Sequence, residues 1–201
     1  MPEAGVHVID DDADAREALA FLLSTADLSV ESYASAAAFL AVATEASGVV
    51  VTDVRMPDID GMALMRRLAV LGARLPVIVM TGHGDVPLAV AAMKAGAFDF
   101  LEKPYDGETM LAAVRAGLAR HGEAQARDGA RAGIAQRIAE LSPRQRQVLE
   151  GLVAGKANKV IARDLDISPR TVEIYRANVM ARMQAQSLSE LVRMAVAAGA
   201  A

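Results

Sequence analysis

Asp10, Asp11, Asp53, Thr81 and Lys103 are the residues whose types and placing could do chemistry, because each follows or closes a short apolar run. Val6 to Ile9 leads into Asp10-Asp11-Asp12, and Val49 to Val51 into Thr52-Asp53. Val77 to Met80 leads into Thr81-Gly82, and Phe98 to Leu101 into Glu102-Lys103-Pro104. If the runs are parallel strands, three carboxylates, a hydroxyl and an ammonium emerge at one edge of one sheet, where open α/β sheets bind ligands. That set suits a divalent cation and a phosphoryl group. Mg²⁺ takes oxygen ligands and keeps several waters, so Asp10, Asp11 and Asp53 suffice to hold it. A carboxylate can also act as a nucleophile and carry a phosphoryl group, and such a transfer depends mainly on positioning and charge neutralisation. The residues therefore read as Asp53 accepting phosphate, Asp10 and Asp11 holding the metal, Lys103 touching one phosphoryl oxygen and Thr81 donating a hydrogen bond to another. A solvated helix start, where acids are favoured, accounts for Asp12 and Asp14. It does not account for polar groups at three further strand ends.

The elements that must position these groups alternate. Helical spacing runs from Ala13 to Thr25, with a strand at Val30 to Tyr33 and a helix at Ala36 to Thr44. A strand follows at Gly48 to Asp53, a helix at Gly61 to Ala69 and a strand at Pro76 to Thr81. A helix at Val86 to Ala95 is stopped by Gly96, and a strand at Ala97 to Glu102 precedes a helix from Gly107 to Arg120. Strands alternating with helices give βαβ units and a parallel sheet, and five units make a doubly wound, flavodoxin-like (βα)5 domain. Val49–Val51 and Val77–Met80 are apolar throughout, as strands covered on both faces require. Residues 1–122 form this domain and residues 123–140 a partly helical linker. Residues 141–201 form an all-α domain of four short helices: Ser142–Ala154, Asn158–Asp164, Pro169–Met183 and Leu188–Ala198.

Composition narrows the class. Of 201 residues, 53% are apolar and 23% charged, which permits a core and excludes disorder, while 3% aromatic content leaves that core to Ala, Val, Leu and Met. No run approaches the ~18 uncharged apolar residues of a membrane span. The absence of cysteine excludes disulfides and thiol catalysis and fits a cytoplasmic protein, as does an N-terminus without a basic-then-apolar leader pattern. Residues 1–122 carry 17 acidic and 9 basic side chains, whereas residues 141–201 carry 5 and 9. An acidic front and a basic back predict a second domain that faces a polyanion. His7 reads as a core or sheet residue, His83 as loop packing, and the ten methionines as filler of an aromatic-poor core.

Val-Ile-Asp-Asp-Asp, Val-Thr-Asp-Val-Arg-Met-Pro-Asp, Met-Thr-Gly-His-Gly-Asp and Phe-Leu-Glu-Lys-Pro-Tyr resemble the receiver domain of bacterial response regulators, and the FixJ type above all. The resemblance implies that Asp53 takes phosphate from a sensor histidine kinase. It also implies that the backbone carbonyl of Arg55 joins the metal ligands, that the bond before Pro104 is cis, and that Phe100 is an aromatic switch.

In the second domain, Asn158–Asp164 and Pro169–Met183, joined around Leu165-Asp166-Ile167-Ser168, read as a helix-turn-helix. At 100° per residue, Val172, Tyr175, Val179 and Met183 form one inward stripe, while Arg170, Glu173, Ile174, Ala177 and Ala181 point the opposite way. Glu173 could accept from cytosine N4, and Ile174 and Ala177 could meet thymine methyls. Lys159, Arg163, Thr171 and Arg182 are candidates for phosphate contacts. Leu-Ser-Pro-Arg from Leu141, Val-Ala-Gly-Lys-Ala-Asn-Lys from Val153 and Ile-Ser-Pro-Arg-Thr-Val-Glu from Ile167 are similar to the LuxR-type helix-turn-helix. Gln145 stands where that family usually has an acid, so an internal salt bridge is expected to become a neutral hydrogen bond.

Together these readings predict a transcription regulator, not an enzyme, switched by phosphorylation of Asp53. The resemblance implies dimerisation through residues 86–95, 97–102 and 107–120, which would place two reading helices on a double-stranded DNA operator; RNA polymerase is a further expected partner. The acidic front and basic back also allow the receiver to mask the basic module. Two rivals are a Mg²⁺-dependent phosphatase, which lacks a second nucleophile or general acid here, and a DNA-binding regulator that uses the receiver only as a fixed dimer scaffold.

Overall fold

The computed structural model describes residues 4–82 and 86–199. The elements run in order as β1 (Gly5–Ile9), α1 (Ala13–Ser24), β2 (Val30–Tyr33), α2 (Ala36–Leu40), β3 (Gly48–Asp53), α3 (Gly61–Leu71), β4 (Val77–Thr81), α4 (Val86–Lys94), β5 (Asp99–Glu102) and α5 (Gly107–Ala139), then α6 (Pro143–Val153), α7 (Asn158–Asp164), α8 (Pro169–Met183) and α9 (Leu188–Ala197). The chain divides into two compact units, residues 1–124 and 125–201.

In the first unit the five strands are all parallel in the order β2-β1-β3-β4-β5. Strand alternation splits the apolar side chains between two faces. Val50 and Val79 join Ile9, Phe39, Leu64 and Leu68 on one side; Val49, Val51, Ile78 and Met80 join Leu19, Leu23, Met110 and Val114 on the other. Both faces are therefore sealed, which is why β3 and β4 carry no exposed position. The strand order reverses between β1 and β3, where Asp10 and Asp53 emerge.

His7, as expected, is a sheet residue. It is buried, its Nε2 donates to the Ser47 carbonyl at 3.2 Å, and its ring lies against Phe39 with centroids 5.2 Å apart. Burial holds its pKa below the ordinary histidine value, more than offsetting the Ser47 carbonyl and the Glu31 charge. The unfolded chain therefore binds the proton more tightly. Stability should be unaffected above about pH 6.5 and fall as pH drops from there through the lowered folded value. Urea unfolding of His7→Gln at pH 7.5 and pH 5 should show a smaller acid-induced loss than the parent chain; an identical loss would exclude His7 as a source.

Several boundaries differ from the sequence reading. The helix expected over Ala36–Thr44 ends at Leu40, and turns continue to Glu45. Residues 123–140, expected as a partly helical linker, instead continue α5 without a break to Ala139, giving a helix of 33 residues. Gly122, Gly129 and Gly133 each weaken a helix by about 1 kcal/mol relative to alanine. The intervening Glu, Ala, Gln and Arg residues are strong helix formers, and the segment stays helical. Ala97 and Phe98 precede rather than begin β5.

The second unit packs α6 to α9 around Val148, Leu149, Ile161, Val172, Val179, Met183 and Leu191. Ser142 and Gln145 form a capping box: Gln145 N donates to Ser142 Oγ at 3.3 Å, and Ser142 N donates to Gln145 Oε1 at 2.9 Å. The expected neutral hydrogen bond is thus the reciprocal cap of α6. Ser168 caps α8 through Thr171 N, with Pro169 at its first position. No helix among the described residues is long and apolar enough to cross a membrane.

Candidate functional site

The register of the sheet brings the polar strand ends together. Ile9 pairs with Thr52, Asp53 with Met80 and Thr81 with Glu102, so Asp10, Asp53, Thr81 and Lys103 leave the sheet side by side. Lys103 Nζ lies 2.8 Å from Asp53 Oδ1 and 2.9 Å from Asp10 Oδ2, one ammonium joining carboxylates that are 50 and 93 residues away in the chain. The Asp10 and Asp53 side chains are 3% and 11% exposed and that of Lys103 27%. Burial alone would lower the Lys103 pKa, but the hydrogen bonds it donates to Asp53 and Asp10 and their charges raise it above the ordinary lysine value.

Each carboxylate is also held by backbone. Arg55 N donates to Asp53 Oδ2 at 2.6 Å, and Asp12 N donates to Asp10 Oδ1 at 3.0 Å. Asp12 itself caps α1 through Asp14 N and Ala15 N, the helix-start role read from the sequence. Thr81 is buried at the end of β4, and its carbonyl accepts from Lys103 N at 2.7 Å. Phe100 is half-buried against the α2–α3 side of the core. The Lys103–Pro104 bond is cis. Asp11 is exposed, and His83 lies outside the described residues.

The donor set has the hardness that Mg²⁺ requires, two buried carboxylates with a single ammonium between them. Among the described residues no three Asp, Glu, His or Cys side chains converge as a metal cage. Two carboxylates would leave a bound Mg²⁺ to complete its shell with backbone oxygen and water.

Two contributors were not read from the sequence. Arg16 Nη1 donates to the Asp10 carbonyl at 2.7 Å, fixing the peptide that carries the carboxylate. Tyr105 is half-buried, and burial, with the Asp10 and Asp53 charges, raises its pKa against the pull of Lys103. Arg16 falls six residues after Asp10, and only the turn from β1 into α1 makes them neighbours.

In the second unit, Val172, Val179 and Met183 are fully buried and Tyr175 half-buried, as the helical wheel requires. Arg170, Glu173, Ile174, Ala177, Ala181 and Arg182 are exposed, as are Lys159 and Arg163 on α7. Thr171 is half-buried, its hydroxyl 2.8 Å from Ser168 Oγ, so its side chain is already engaged in the cap. Arg163 lies 3.8 Å from Asp164, whose other oxygen takes Lys156 Nζ at 2.8 Å.

Residues 6–115 match the model of the response regulator receiver domain, and residues 139–195 that of the bacterial regulatory proteins of the luxR family. The transcriptional regulatory protein FixJ of Azorhizobium caulinodans is 60% identical over 100% of this chain and 96% of that protein. FixJ of Rhizobium meliloti is 50% identical over 99% of this chain and 98% of that protein. Among solved structures, the response regulator StyR matches with a TM-score of 0.84 at 36% identity, over 96% of this chain and 98% of that one. Full-length FixJ from B. japonicum matches with a TM-score of 0.60 at 50% identity, over 99% and 98%. Two family models in tandem and relatives alike from end to end place the chain: it belongs to the FixJ-type response regulators, transcription regulators in which a receiver domain precedes a LuxR-type DNA-binding domain.

Proposed function

We propose that Asp53 accepts a phosphoryl group from a sensor histidine kinase, and that this promotes dimerisation and sequence-specific binding to operator DNA in the cytoplasm. The observation that carries the reading is the Lys103 ammonium held between Asp10 and Asp53 at the switch point of the sheet. An Asp53 oxygen attacks phosphorus as the P–N bond to the donor histidine breaks, and the departing imidazole takes up a proton. Asp10, Asp11 and Asp53 with the Arg55 carbonyl would hold Mg²⁺, which when bound neutralises charge on the transferring group. Lys103 then pairs with a phosphoryl oxygen and Thr81 donates to another.

The product adds roughly −1.5 to −2 charges at neutral pH. Thr81 moves toward it, and Phe100, half-buried two register positions away opposite Val79, turns inward. On α4, Val86, Val90 and Met93 recur at helical spacing and are 77%, 45% and 50% exposed, an apolar row suited to a second copy. Two copies present two α8 helices to half-sites about one DNA turn apart. Arg170 faces the groove with Glu173, Ile174 and Ala177, of which the last three read base edges, while Lys159, Arg163, Thr171 and Arg182 meet the backbone. RNA polymerase is the further partner of the bound dimer.

Light scattering with Mg²⁺, before and after beryllofluoride as phosphoryl mimic, should show a monomer becoming a dimer. An unchanged mass would favour a regulator that binds DNA without phosphorylation.

A further inference from the structure

We infer that Gly61 is a positioning residue for the Asp53 carboxylate, an inference that rests on the reading of Asp53 as phosphoryl acceptor. After Asp53 the chain loops through Val54–Asp60 and returns, so that α3 begins directly against the end of β3. Gly61 N donates to the Val54 carbonyl at 3.0 Å, while Val54 N donates to the Met80 carbonyl of the neighbouring strand at 2.8 Å. A Cβ on Gly61 would stand 2.5 Å from the Asp53 carbonyl oxygen and 3.2 Å from Val54 Cα. Gly61 is not in the left-handed region, so room, not backbone freedom, is what demands a glycine here.

Neither side can yield cheaply. The Asp60 side chain accepts from Ala63 N and fixes where α3 starts, and buried Leu64, Met65 and Leu68 fix the helix against the sheet. Asp53 in turn is tied to Lys103 at 2.8 Å and to Arg55 N at 2.6 Å. A methyl group at position 61 must therefore be absorbed by the Asp53–Val54 peptide, which carries the reacting carboxylate. A misplacement of about 1 Å costs on the order of 10²-fold in rate.

The test measures phosphorylation of the full chain by acetyl phosphate with Mg²⁺, followed by intact mass, alongside thermal unfolding. Gly61→Ala should lose roughly 10- to 100-fold in rate. Gly117→Ala is the matched control: its Cβ would run into Val49 Cγ2, at the other end of β3, so it loses stability without disturbing the carboxylate. It should phosphorylate within about twofold of the parent chain at a temperature where both variants are folded. If Gly61→Ala does not fold, Asp60→Ala, which loosens the start of α3 without adding atoms, must slow the reaction several-fold. A parental rate in Gly61→Ala or in that substitute, or losses that follow stability alike in Gly61→Ala and Gly117→Ala, overturns the assignment. A parent chain that takes no label at Asp53 overturns both this inference and the reading beneath it.

Discussion

Asp53→Asn is expected to take up no detectable phosphoryl group from acetyl phosphate and to stay monomeric under conditions that dimerise the parent chain. The amide nitrogen is no nucleophile, and the neutral side chain removes one of the two charges that Lys103 bridges. Folding should survive, because asparagine keeps the shape and one acceptor oxygen for Lys103 or Arg55 N; a cost of about 1 kcal/mol is expected. Intact mass, light scattering and operator binding check the three parts separately. Operator binding equal to that of the activated parent chain would sink the phosphorylation switch and leave the receiver as a fixed scaffold.

The second large effect belongs to Lys103→Met. Methionine keeps the apolar stem, so the change isolates the ammonium. Its loss leaves Asp10 and Asp53, both nearly buried, facing one another without a counter-charge. Breaking a fully buried pair costs about 3–5 kcal/mol; with Lys103 partly exposed, about 2–3 kcal/mol is expected. Two signatures distinguish this from simple loss of packing. Mg²⁺ should raise the unfolding midpoint of the variant more than that of the parent, because the ion replaces the missing charge. The parent should also lose stability at alkaline pH where the variant does not. The folded Lys103 pKa is raised, so its contribution is complete below about pH 10.5 and disappears as pH rises through the folded value. Equal Mg²⁺ responses in the two chains would argue that the carboxylates are not electrostatically coupled. Phosphoryl uptake should fall as well, since the cation proposed to pair with the transferring group is gone.

The fold was legible wherever one periodicity dominates. Val49–Val51 and Val77–Met80 are too short and too uniformly apolar for anything but strands covered on both faces, and the polar residues that end them marked the functional edge. The inward stripe of α8 was equally plain, since Val172, Val179 and Met183 have no polar competitor at those positions. What local sequence does not carry is context. Gly122, Gly129 and Gly133 suggest a broken linker, yet the helix-forming residues between them outweigh their modest cost. The Ala36–Thr44 run has helical composition throughout but stops at Leu40. That Lys103 bridges Asp10 and Asp53 follows only once the strands are ordered and aligned, while Arg16 reaching the Asp10 carbonyl and Gly61 abutting the Asp53 carbonyl depend on the path of the turns after β1 and β3.

The strand order also has a consequence for how the chain is made. β1 is made before either of its partners, yet it lies inside the sheet and pairs on both sides, with residues 30–33 and 48–52. Until β3 has been synthesised it presents at least one bare edge, a hazard that parallel pairing, with its distant partners, imposes on nascent chains. The edge that holds Asp10 and Asp53 closes later still. Asp10 and Asp53 lack their shared ammonium until residue 103, 93 and 50 residues after them. A chain interrupted before that point has every acidic residue of the edge and nothing to hold them together.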